Sequence, residues 1–281
     1  MNATHAPHFE SLGLSVSVVV YQPDIDQLNS TLASLVTACE VLHTERPGLP
    51  VTLYLVDNGG LPDPSAALEA LRVGGVSYTV IVGQGNVGYG RGHNLAIERI
   101  TSRYHLVMNP DIDLAPDALK QALNFLDDHA DAGLLTPWIG DEHGQQQHLC
   151  RRYPTLLDLF VRGFLPVRLR SLFKGRLARY EMRDLINGHD IVWDPLIVSG
   201  CFMLFRTHVL KQLAGFDARY FLYFEDYDLS LRTHDVTRVV YVPAVRVLHH
   251  GGGAARKGGA HVRMFVASAC RFFNRFGWKW L

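Results

Sequence analysis

Segments with two different hydrophobic periods alternate through the first half of the chain. Short apolar runs rich in β-branched residues occur at 14–21, 51–58, 76–83 and 104–109. Apolar residues recur three and four positions apart in the segments 24–43, 63–73, 92–100 and 116–129. The first pattern predicts buried strands and the second predicts helices with one apolar face. Strands that alternate with helices form a mostly parallel sheet covered by helices, so we expect an α/β fold.

The second half of the chain is less regular. Residues 140–195 mix many arginines with Leu and Phe, which predicts a basic helical insertion within a single domain of residues 1–281. A strand-like run at 195–206 is followed by two helical segments, the second of which, at 223–235, begins with acidic residues. The run RVVYVP, which begins at Arg238, predicts a last strand.

Composition excludes several classes of protein. The 281 residues contain 27 Lys plus Arg and 27 Asp plus Glu, so no surface built from bulk positive charge is expected to bind nucleic acid. The four cysteines are far apart and form no CxxC pair, which argues against a thiolate zinc site and a disulfide scaffold and fits a reducing cytoplasm. The N-terminal residues lack the layout of a signal peptide, and no apolar run reaches about 18 residues, so we expect a cytoplasmic protein.

The predicted strands end in polar residues or glycines. Tyr21 follows the first strand, Asp57 and Asn58 end the second, residues 83–88 follow the third, and residues 109–113 follow the fourth. Ligands bind at the carboxyl ends of the strands in sheets of this kind. The sequence therefore predicts a ligand site along this edge of the sheet.

Asp111 and Asp113 stand directly after the fourth strand, with one residue between them. Side chains two positions apart in an extended segment point the same way, and two carboxylates together suit a hard divalent cation that also binds phosphates. The alternative is an Asx-turn that places negative charge near the start of the next helix. The motif alone leaves both interpretations open.

A glycine-rich turn at 82–94 links the third strand to a helix. It lacks the G-K-[ST] of a Walker A loop and is not a dinucleotide fingerprint. It is either a flexible connection or a site where backbone amides and Arg91 contact a nucleotide phosphate.

A second acidic cluster, with Glu225, Asp226 and Asp228, stands at the start of a predicted helix among aromatic residues. Negative charge is stabilised at a helix N-terminus, so the cluster is either a favourable helix start or the source of a general base in a cleft.

The segment 245–259 ends a strand with His249 and His250 and continues with glycines, Arg256 and Lys257. The imidazoles are either surface groups or ligands that complete a metal site. The basic, glycine-rich part resembles a mobile lid that contacts a diphosphate.

Together these motifs resemble the inverting family 2 glycosyltransferases of the GT-A fold. The resemblance covers roughly residues 14–275 and rests on the order of seven segments: VSVVVY, LVDNGG, GNVGYGRGHN, MNPDIDL, SGCFMLFR, GFDARYFLYFEDYDLSLR and YVPAVRVLHHGG. The stretch CRRYPTLLDLFVRGF and the tail SACRFFNRFGWKWL resemble the branch that includes bacterial rhamnosyltransferases of cell-surface polysaccharide assembly.

The resemblance implies a role for individual donor-side residues. Asp57 would read the pyrimidine of the donor nucleotide, and Tyr21 and Asn86 would line its pocket. The resemblance also implies nucleotide contacts for the following residues: Gly88, Arg91, Asn94, Asp111, Arg256 and Lys257. The chain departs from the family at YQPD, where Tyr-Asn is commoner, and after the lid glycine, where Ala replaces Ser or Thr.

The resemblance also implies the metal ligands and the general base. Asp113 would bind a divalent Mn²⁺ or Mg²⁺ directly, with Asp111 on the metal, the ribose or a metal-bound water. His249 fits the family's V-x-H-x-G pattern better than His250 and would complete the metal site. Asp226 would be the general base, with Glu225 as its substitute.

The function implied is transfer of L-rhamnose from dTDP-rhamnose to a cell-surface polysaccharide, lipopolysaccharide or lipid-linked glycan. A UDP-sugar donor is the alternative, and a nucleotidyltransferase or a non-catalytic glycan-binding module are rivals. Residues 14–115 would form the nucleotide-sugar half and 116–260 the half that holds acceptor and base. The tail at 260–281 predicts an amphipathic helix that lies on the inner membrane or packs on the core.

Overall fold

Strands and helices alternate along the first half of the molecule, as the sequence predicts. The structure, a computed structural model, describes residues 11–251 and 258–281. Its strands are Ser11–Val20 (β1), Val51–Asp57 (β2), Val76–Ile81 (β3), Ser102–Met108 (β4), Ile112–Leu114 (β5), Ala132–Gly140 (β6), Val192–Trp193 (β7), Phe202–Arg206 (β8) and Arg238–His249 (β9). Its helices are Ile25–Glu45 (α1), Ser65–Val73 (α2), Tyr89–Ile97 (α3), Ala118–Asp128 (α4), Leu156–Phe164 (α5), Val167–Arg170 (α6), Lys174–Tyr180 (α7), Thr207–Gln212 (α8), Glu225–Thr233 (α9) and Gly258–Phe276 (α10).

The nine strands of the described residues form one sheet, in the order β3-β2-β1-β4-β8-β6-β9-β5, with β7 paired to β9. The first four strands in this order are parallel to one another, and β6 is parallel to β9. β8 joins β4 and β6 in antiparallel pairing, and β5 and β7 are antiparallel to β9. The predicted α/β fold with a central, mostly parallel sheet is confirmed.

The strand order reverses at β1. From β3 the chain crosses back over β2 and β1 and places β4 on the far side of β1. Val20 lies beside Asp57, and Val18 lies beside Met108, so β1, β2 and β4 end at the same edge of the sheet. Ligands in open α/β sheets bind at such a reversal, outside the carboxyl ends of the strands.

One face of the sheet packs against the long helix α1. Leu28, Leu35 and Leu42 of this helix are buried in the same apolar cluster as Val16 and Val18 of β1. Complete burial of an aliphatic side chain contributes about 1.5–3 kcal/mol each to the free energy of unfolding. This packing fixes α1 across the strand ends, where its side chains later contribute to the candidate site.

Three parts of the sheet differ from the sequence prediction. The strand predicted at 195–206 is found only at Phe202–Arg206, because the chain turns at Gly200 and Cys201. β5 has three residues, too few for a recognisable period. β6 contains Pro137 next to a register shift, and proline cannot donate to a strand ladder, so this strand lacks the usual signal.

Region 140–195 contains the three helices α5, α6 and α7 and a 3-10 turn at Ser171–Phe173, in agreement with the predicted helical character of the insertion. None of the helices in the described ranges is long and apolar enough to cross a membrane.

A column of buried polar side chains connects β1 to β4 and to α3. Ser15 Oγ lies 2.7 Å from His105 Nδ1, and Ser17 Oγ lies 2.9 Å from His105 Nε2. Ser17 Oγ also lies 2.7 Å from Nδ1 of His93 in α3. Burial lowers the pKa of His105 to about 3 and that of His93 well below its usual value, so both rings are neutral.

This column makes folding stability depend on pH. Below about pH 6.5 these histidines are protonated in the unfolded chain but remain neutral in the folded chain. The free energy of unfolding should therefore fall as pH drops from about 6.5 towards 3, by up to about 1.4 kcal/mol per pH unit for each histidine. In His105→Gln, chemical denaturation should show lower stability at pH 7.5 but a shallower loss between pH 6.5 and 4. Equal slopes in the two proteins would contradict this role of His105.

Candidate active site

The short strand β5 brings the two aspartates against the end of β9. Ile112 pairs with His249, and the N–H of His250 donates to the carbonyl oxygen of Asp111 at 3.0 Å. His249 Nε2 lies 3.5 Å from Asp111 Oδ1, and His250 Nε2 lies 2.9 Å from Asp113 Oδ2. The two carboxylates therefore contact different histidines, because Asp111 precedes β5 in a turn while Asp113 lies within the strand.

Helix α1 supports the same segment from the other side. Thr31 Oγ1 donates to the carbonyl oxygen of Pro110 at 2.9 Å, and the N–H of Leu114 donates to Ser34 Oγ at 3.0 Å. Ser30 Oγ donates to Asp113 Oδ2 at 2.9 Å. The hydroxyls thus fix the backbone on both sides of the acidic pair and orient one of its carboxylates.

The chemistry of the acidic pair fits a divalent cation. Asp111 Oδ1 and Asp113 Oδ1 are buried and have no hydrogen-bond partner, and buried carboxylate oxygens are rarely left in that state. Burial lowers the pKa of His249, against the opposing effect of Asp111, which favours a neutral imidazole. No group of three or more His, Cys, Asp or Glu side chains in the described ranges is arranged to hold a metal. A cation would therefore need further ligands from a substrate.

Asp57 and Tyr21 lie at the neighbouring strand ends. Asp57 Oδ1 accepts the N–H of Gly59 at 2.7 Å, and its backbone oxygen accepts Gln84 Nε2 at 2.7 Å. Tyr21 is 54% exposed, and a Cβ at Gly59 would lie 3.6 Å from its ring. Both predicted nucleotide-side residues therefore border one open surface at the end of β1 and β2.

Gly88 connects the glycine-rich turn to the loop that precedes α9. Its φ is 89°, and a Cβ there would lie 2.3 Å from the carbonyl oxygen of Phe221. The N–H of Tyr89 donates to the same oxygen at 3.0 Å, and Asn58 Nδ2 donates to the carbonyl oxygen of Gly88 at 3.0 Å. Only glycine allows this close approach together with the left-handed backbone.

Three predicted nucleotide contacts each make at least one hydrogen bond within the protein. Asn86 Oδ1 accepts the N–H of Gly88 at 3.1 Å. Asn94 exchanges two hydrogen bonds with the backbone of Phe216, at 2.8 and 2.9 Å, and Arg91 Nε donates to the carbonyl oxygen of Ala218. The hydrogen bonds of Asn94 and Arg91 therefore connect α3 to the segment 216–218. Arg256 and Lys257 lie outside the described residues.

Glu225 and Asp226 begin α9 and differ in environment. Asp226 Oδ2 accepts the N–H of Gly200 at 3.1 Å, and Oδ1 accepts the N–H of Tyr227 at 2.9 Å. Glu225 is 5% exposed, and its Oε2 has no hydrogen-bond partner. Burial, reinforced by the charge of Asp226, raises the pKa of Glu225 to about 8. Burial also raises the pKa of Asp226, but the N–H groups of Gly200 and Tyr227 oppose that rise.

The backbone before these carboxylates is strained. Tyr223 and Phe224 have φ values of 72° and 65°, which side chains of this size rarely adopt. Such conformations persist where the surroundings enforce them and are common at functional sites. The next two residues, Glu225 and Asp226, lie at the wall of a cavity of about 650 Å³, which Tyr89, Phe164 and Phe265 also line.

Sequence reasoning misses several residues of the site. Ser30 Oγ donates to Asp113, Gln147 Oε1 lies 2.9 Å from His249 Nδ1, and Tyr89 Oη donates to the carbonyl oxygen of Gly200 at 2.6 Å. His250, which the sequence ranks below His249, is the histidine that contacts Asp113. The HisHis pair opposite D-x-D is a usable signal only once the pairing of β5 with β9 is known. Gln147, Tyr89 and Ser30 have no motif of their own.

A family model described as "Glycosyltransferase like family 2" matches residues 13–258. This chain belongs to glycosyltransferase family 2. The N-acetylglucosaminyl-diphospho-decaprenol L-rhamnosyltransferase of Mycobacterium tuberculosis is 30% identical to this glycosyltransferase over 253 residues, which are 84% of this chain and 76% of the relative. Rhamnosyltransferase WbbL of Escherichia coli K12 is 27% identical over 175 residues, 59% of this chain and 62% of WbbL.

Crystal structures of Staphylococcus aureus TarS share the fold. TarS 1–349 superposes with a TM-score of 0.56 at 16% identity, over 93% of this glycosyltransferase and 66% of the TarS chain. The same fragment in complex with UDP-GlcNAc gives a TM-score of 0.56 at 15% identity, over 93% and 67% of the two chains. The expected GT-A fold is thereby confirmed.

Asp226 and Glu225 should lose their protons at different pH values. Asp226 loses its proton first, because two N–H groups stabilise its anion while Glu225 has an oxygen without a partner. In this glycosyltransferase, Asp226→Asn should lower kcat by about 10²–10⁴-fold, whereas Glu225→Gln should keep the acidic limb of the kcat profile. A wild-type rate that rises further through about pH 8, together with loss of activity in Glu225→Gln, would make Glu225 the base instead.

Proposed function

We propose that this glycosyltransferase transfers L-rhamnose from dTDP-rhamnose, with inversion, to a glycan or lipid-linked glycan of bacterial cell-surface polysaccharide assembly. The names of two relatives support rhamnose as the sugar, and one of them names a lipid diphosphate acceptor. The observation that carries the proposal is the placement of Asp226, which two backbone N–H groups anchor at the wall of a cavity.

The chemistry assigned to Asp226 is that of a general base. The acceptor hydroxyl attacks C1 of the sugar, the bond from C1 to the donor diphosphate breaks, and the hydroxyl proton moves to the Asp226 carboxylate. Attack on the face opposite the leaving group inverts C1 without a covalent intermediate, so one catalytic carboxylate suffices. Its raised pKa suits this role, because a base is most effective when its pKa lies near the operating pH.

The donor diphosphate is assigned to the acidic pair. Asp113 and Asp111 would hold a divalent Mn²⁺ or Mg²⁺, with His249 beside them. When bound, such a cation offsets the negative charge that develops on the leaving diphosphate. Ser30 and His250 keep the Asp113 carboxylate in place, and Asp57 and Tyr21 would receive the nucleotide base at the ends of β1 and β2.

A UDP-sugar donor is the second candidate, because TarS, which shares the fold, forms a complex with UDP-GlcNAc. Hydrolysis of a panel of nucleotide sugars with Mn²⁺ or Mg²⁺ separates the two candidates. We expect dTDP-rhamnose to be hydrolysed fastest and EDTA to abolish hydrolysis. Asp113→Asn should lower the rate by about tenfold or more at fixed metal concentration, because one hard ligand is lost. Unchanged hydrolysis in EDTA would refute the metal assignment, and preference for a UDP-sugar would refute the donor.

We also propose that the protein works in the cytoplasm, in peripheral contact with the inner membrane. The inner face of α10 packs on the core, since Phe272 and Phe273 are fully buried. Val266 and Trp280, at 49% and 68% exposure, leave an apolar outer surface on the helix and the tail. An amphipathic helix with basic and aromatic residues binds at a membrane surface in this way.

The membrane contact is testable with substitutions that spare the packed face. Val266→Ser combined with Trp280→Ser should lower binding to anionic vesicles roughly tenfold, because the apolar area available for insertion falls. Val73→Ser, on the 76% exposed side chain at the end of α2, is the matched control and should bind like wild type. Equal binding of all three proteins in a vesicle co-sedimentation assay would refute the contact.

A further inference from the structure

Three arginines line the cavity that contains Asp226. They are Arg151, just before the insertion helices, Arg162 of α5 and Arg170 at the end of α6. With Glu225 protonated below about pH 8, the lining carries these three positive charges and the negative charge of Asp226. The cavity is therefore positively charged around neutral pH.

Arg151 is buried with no carboxylate in contact, although its positive charge lowers the pKa of Asp226. The residue is 3% exposed. Its Nη1 donates to the carbonyl oxygen of Cys150 at 3.0 Å, and its guanidinium carbon lies 5.7 Å from the centre of the Tyr180 ring. No carboxylate of the described residues lies within 4.0 Å of it. The backbone holds it there through two hydrogen bonds with Ile197, at 2.8 and 3.1 Å. A buried cation without an ionic partner is costly unless a ligand supplies the anion.

Arg162 and Arg170 are also poorly neutralised. The carboxylate nearest to Arg162 is that of Glu181, at 3.9 Å, and Arg183 already holds it at 2.7 Å. Arg170 Nε donates to the carbonyl oxygen of Leu165 at 2.8 Å, and no carboxylate of the described chain lies within 4.0 Å.

Other arginines of the same region show the contrast. Arg152 contacts Asp184 at 2.6 Å, and Arg176 contacts Asp158 at 2.6 Å. Ion pairing is thus available to arginines that face away from the cavity. Within the lining, by contrast, the shortest distance from an arginine to a carboxylate of the described residues is the 3.9 Å between Arg162 and Glu181.

Apolar residues form another part of the lining, beside polar ones such as Asn109, Ser199 and His261. Phe164, Leu222, Val262 and Phe265 contribute to the wall, from α5, the loop before α9 and α10. Phe164 and Val262 remain 51% and 45% exposed, so the apolar wall continues to the surface. A ligand that matches this lining carries a hydroxyl for Asp226, a strong anion for the arginines and a hydrocarbon chain.

We propose that Arg151, Arg162 and Arg170 bind the diphosphate of a lipid-linked acceptor, with its sugar at Asp226 and its first prenyl units against the apolar wall. Guanidinium groups donate pairs of hydrogen bonds that match phosphate oxygens, which suits three of them to two phosphates. The proposal rests on the proposed function for the identity of the transferred sugar, but the anion site follows from this lining alone.

The kinetic test compares an acceptor that has a diphosphate between its sugar and its hydrocarbon chain with one that has no diphosphate. One is N-acetylglucosaminyl-diphospho-farnesol and the other is an alkyl N-acetylglucosaminide. Arg162→Gln and Arg170→Gln should each raise KM for the diphosphate acceptor by about tenfold or more, with little change for the alkyl glycoside. Arg168→Gln, on an exposed side chain of α6 outside the lining, is the matched control and should leave both KM values unchanged. Equal effects on the two acceptors, or none, would overturn the proposal.

A binding measurement separates this site from the transfer reaction. With the donor pocket saturated by dTDP, farnesyl diphosphate should bind to the wild-type protein, and Arg162→Gln combined with Arg170→Gln should weaken that binding about tenfold or more. Arg151→Lys tests the buried position with its charge retained and should weaken binding by loss of paired hydrogen bonds, at unchanged melting temperature. Inorganic pyrophosphate that binds as tightly as farnesyl diphosphate would overturn the lipid assignment. If dTDP-rhamnose supports no transfer but the arginine variants lose farnesyl diphosphate binding, the proposed function fails and the site stands.

Discussion

The antiparallel pairing of β5 with the end of β9 is the interaction on which the acidic edge of the site depends. β5 has only three residues, of which Ile112 and Leu114 are buried in the core, and it sets Ile112 opposite His249. Without this pairing neither histidine meets a carboxylate, because His250 and Asp113 are 137 residues apart along the chain. Helix α1 stabilises the pairing from outside through Ser34, whose hydroxyl accepts the N–H of Leu114.

The wall of the site that contains Glu225 and Asp226 is formed by the start of α9. α9 begins directly after two residues in left-handed backbone, and its first two side chains are carboxylates with opposite surroundings. Asp226 has two backbone donors, whereas Glu225 has burial and a free oxygen. Burial raises the pKa of Glu225 to about 8, whereas at Asp226 the two N–H groups oppose the rise. Gly88 couples this wall to the strand-end edge, since its backbone touches that of Phe221.

The strands of the first half are predictable from sequence because a buried parallel strand reads as a continuous apolar run and each is followed by a helical period. The positions of Asp57, Asp111 and Asp113 then follow from the rule that such sheets bind ligands at their carboxyl ends. β6 escapes prediction because Pro137 interrupts its ladder, and β5 because three residues carry no period.

The partners of the site residues are a different matter, because they arise from contacts between distant segments. In the sequence, Asn94 and Arg91 belong to the glycine-rich turn at 82–94, which resembles a phosphate-binding loop. The structure shows that their hydrogen bonds go to Phe216 and Ala218, more than a hundred residues away along the chain. The resemblance to a family supplies such roles by analogy, and only the packing decides which side chains are free to fulfil them.

The column formed by Ser15, Ser17, His93 and His105 also constrains how this sequence can diverge. Three of the ring nitrogens form a hydrogen bond with a serine hydroxyl. Replacing one member of the column by an apolar residue therefore leaves a buried polar atom without a hydrogen-bond partner. A substitution at one of the four positions should therefore require compensating substitutions at the others. Homologues that fill this space with apolar side chains are expected to have changed all four together.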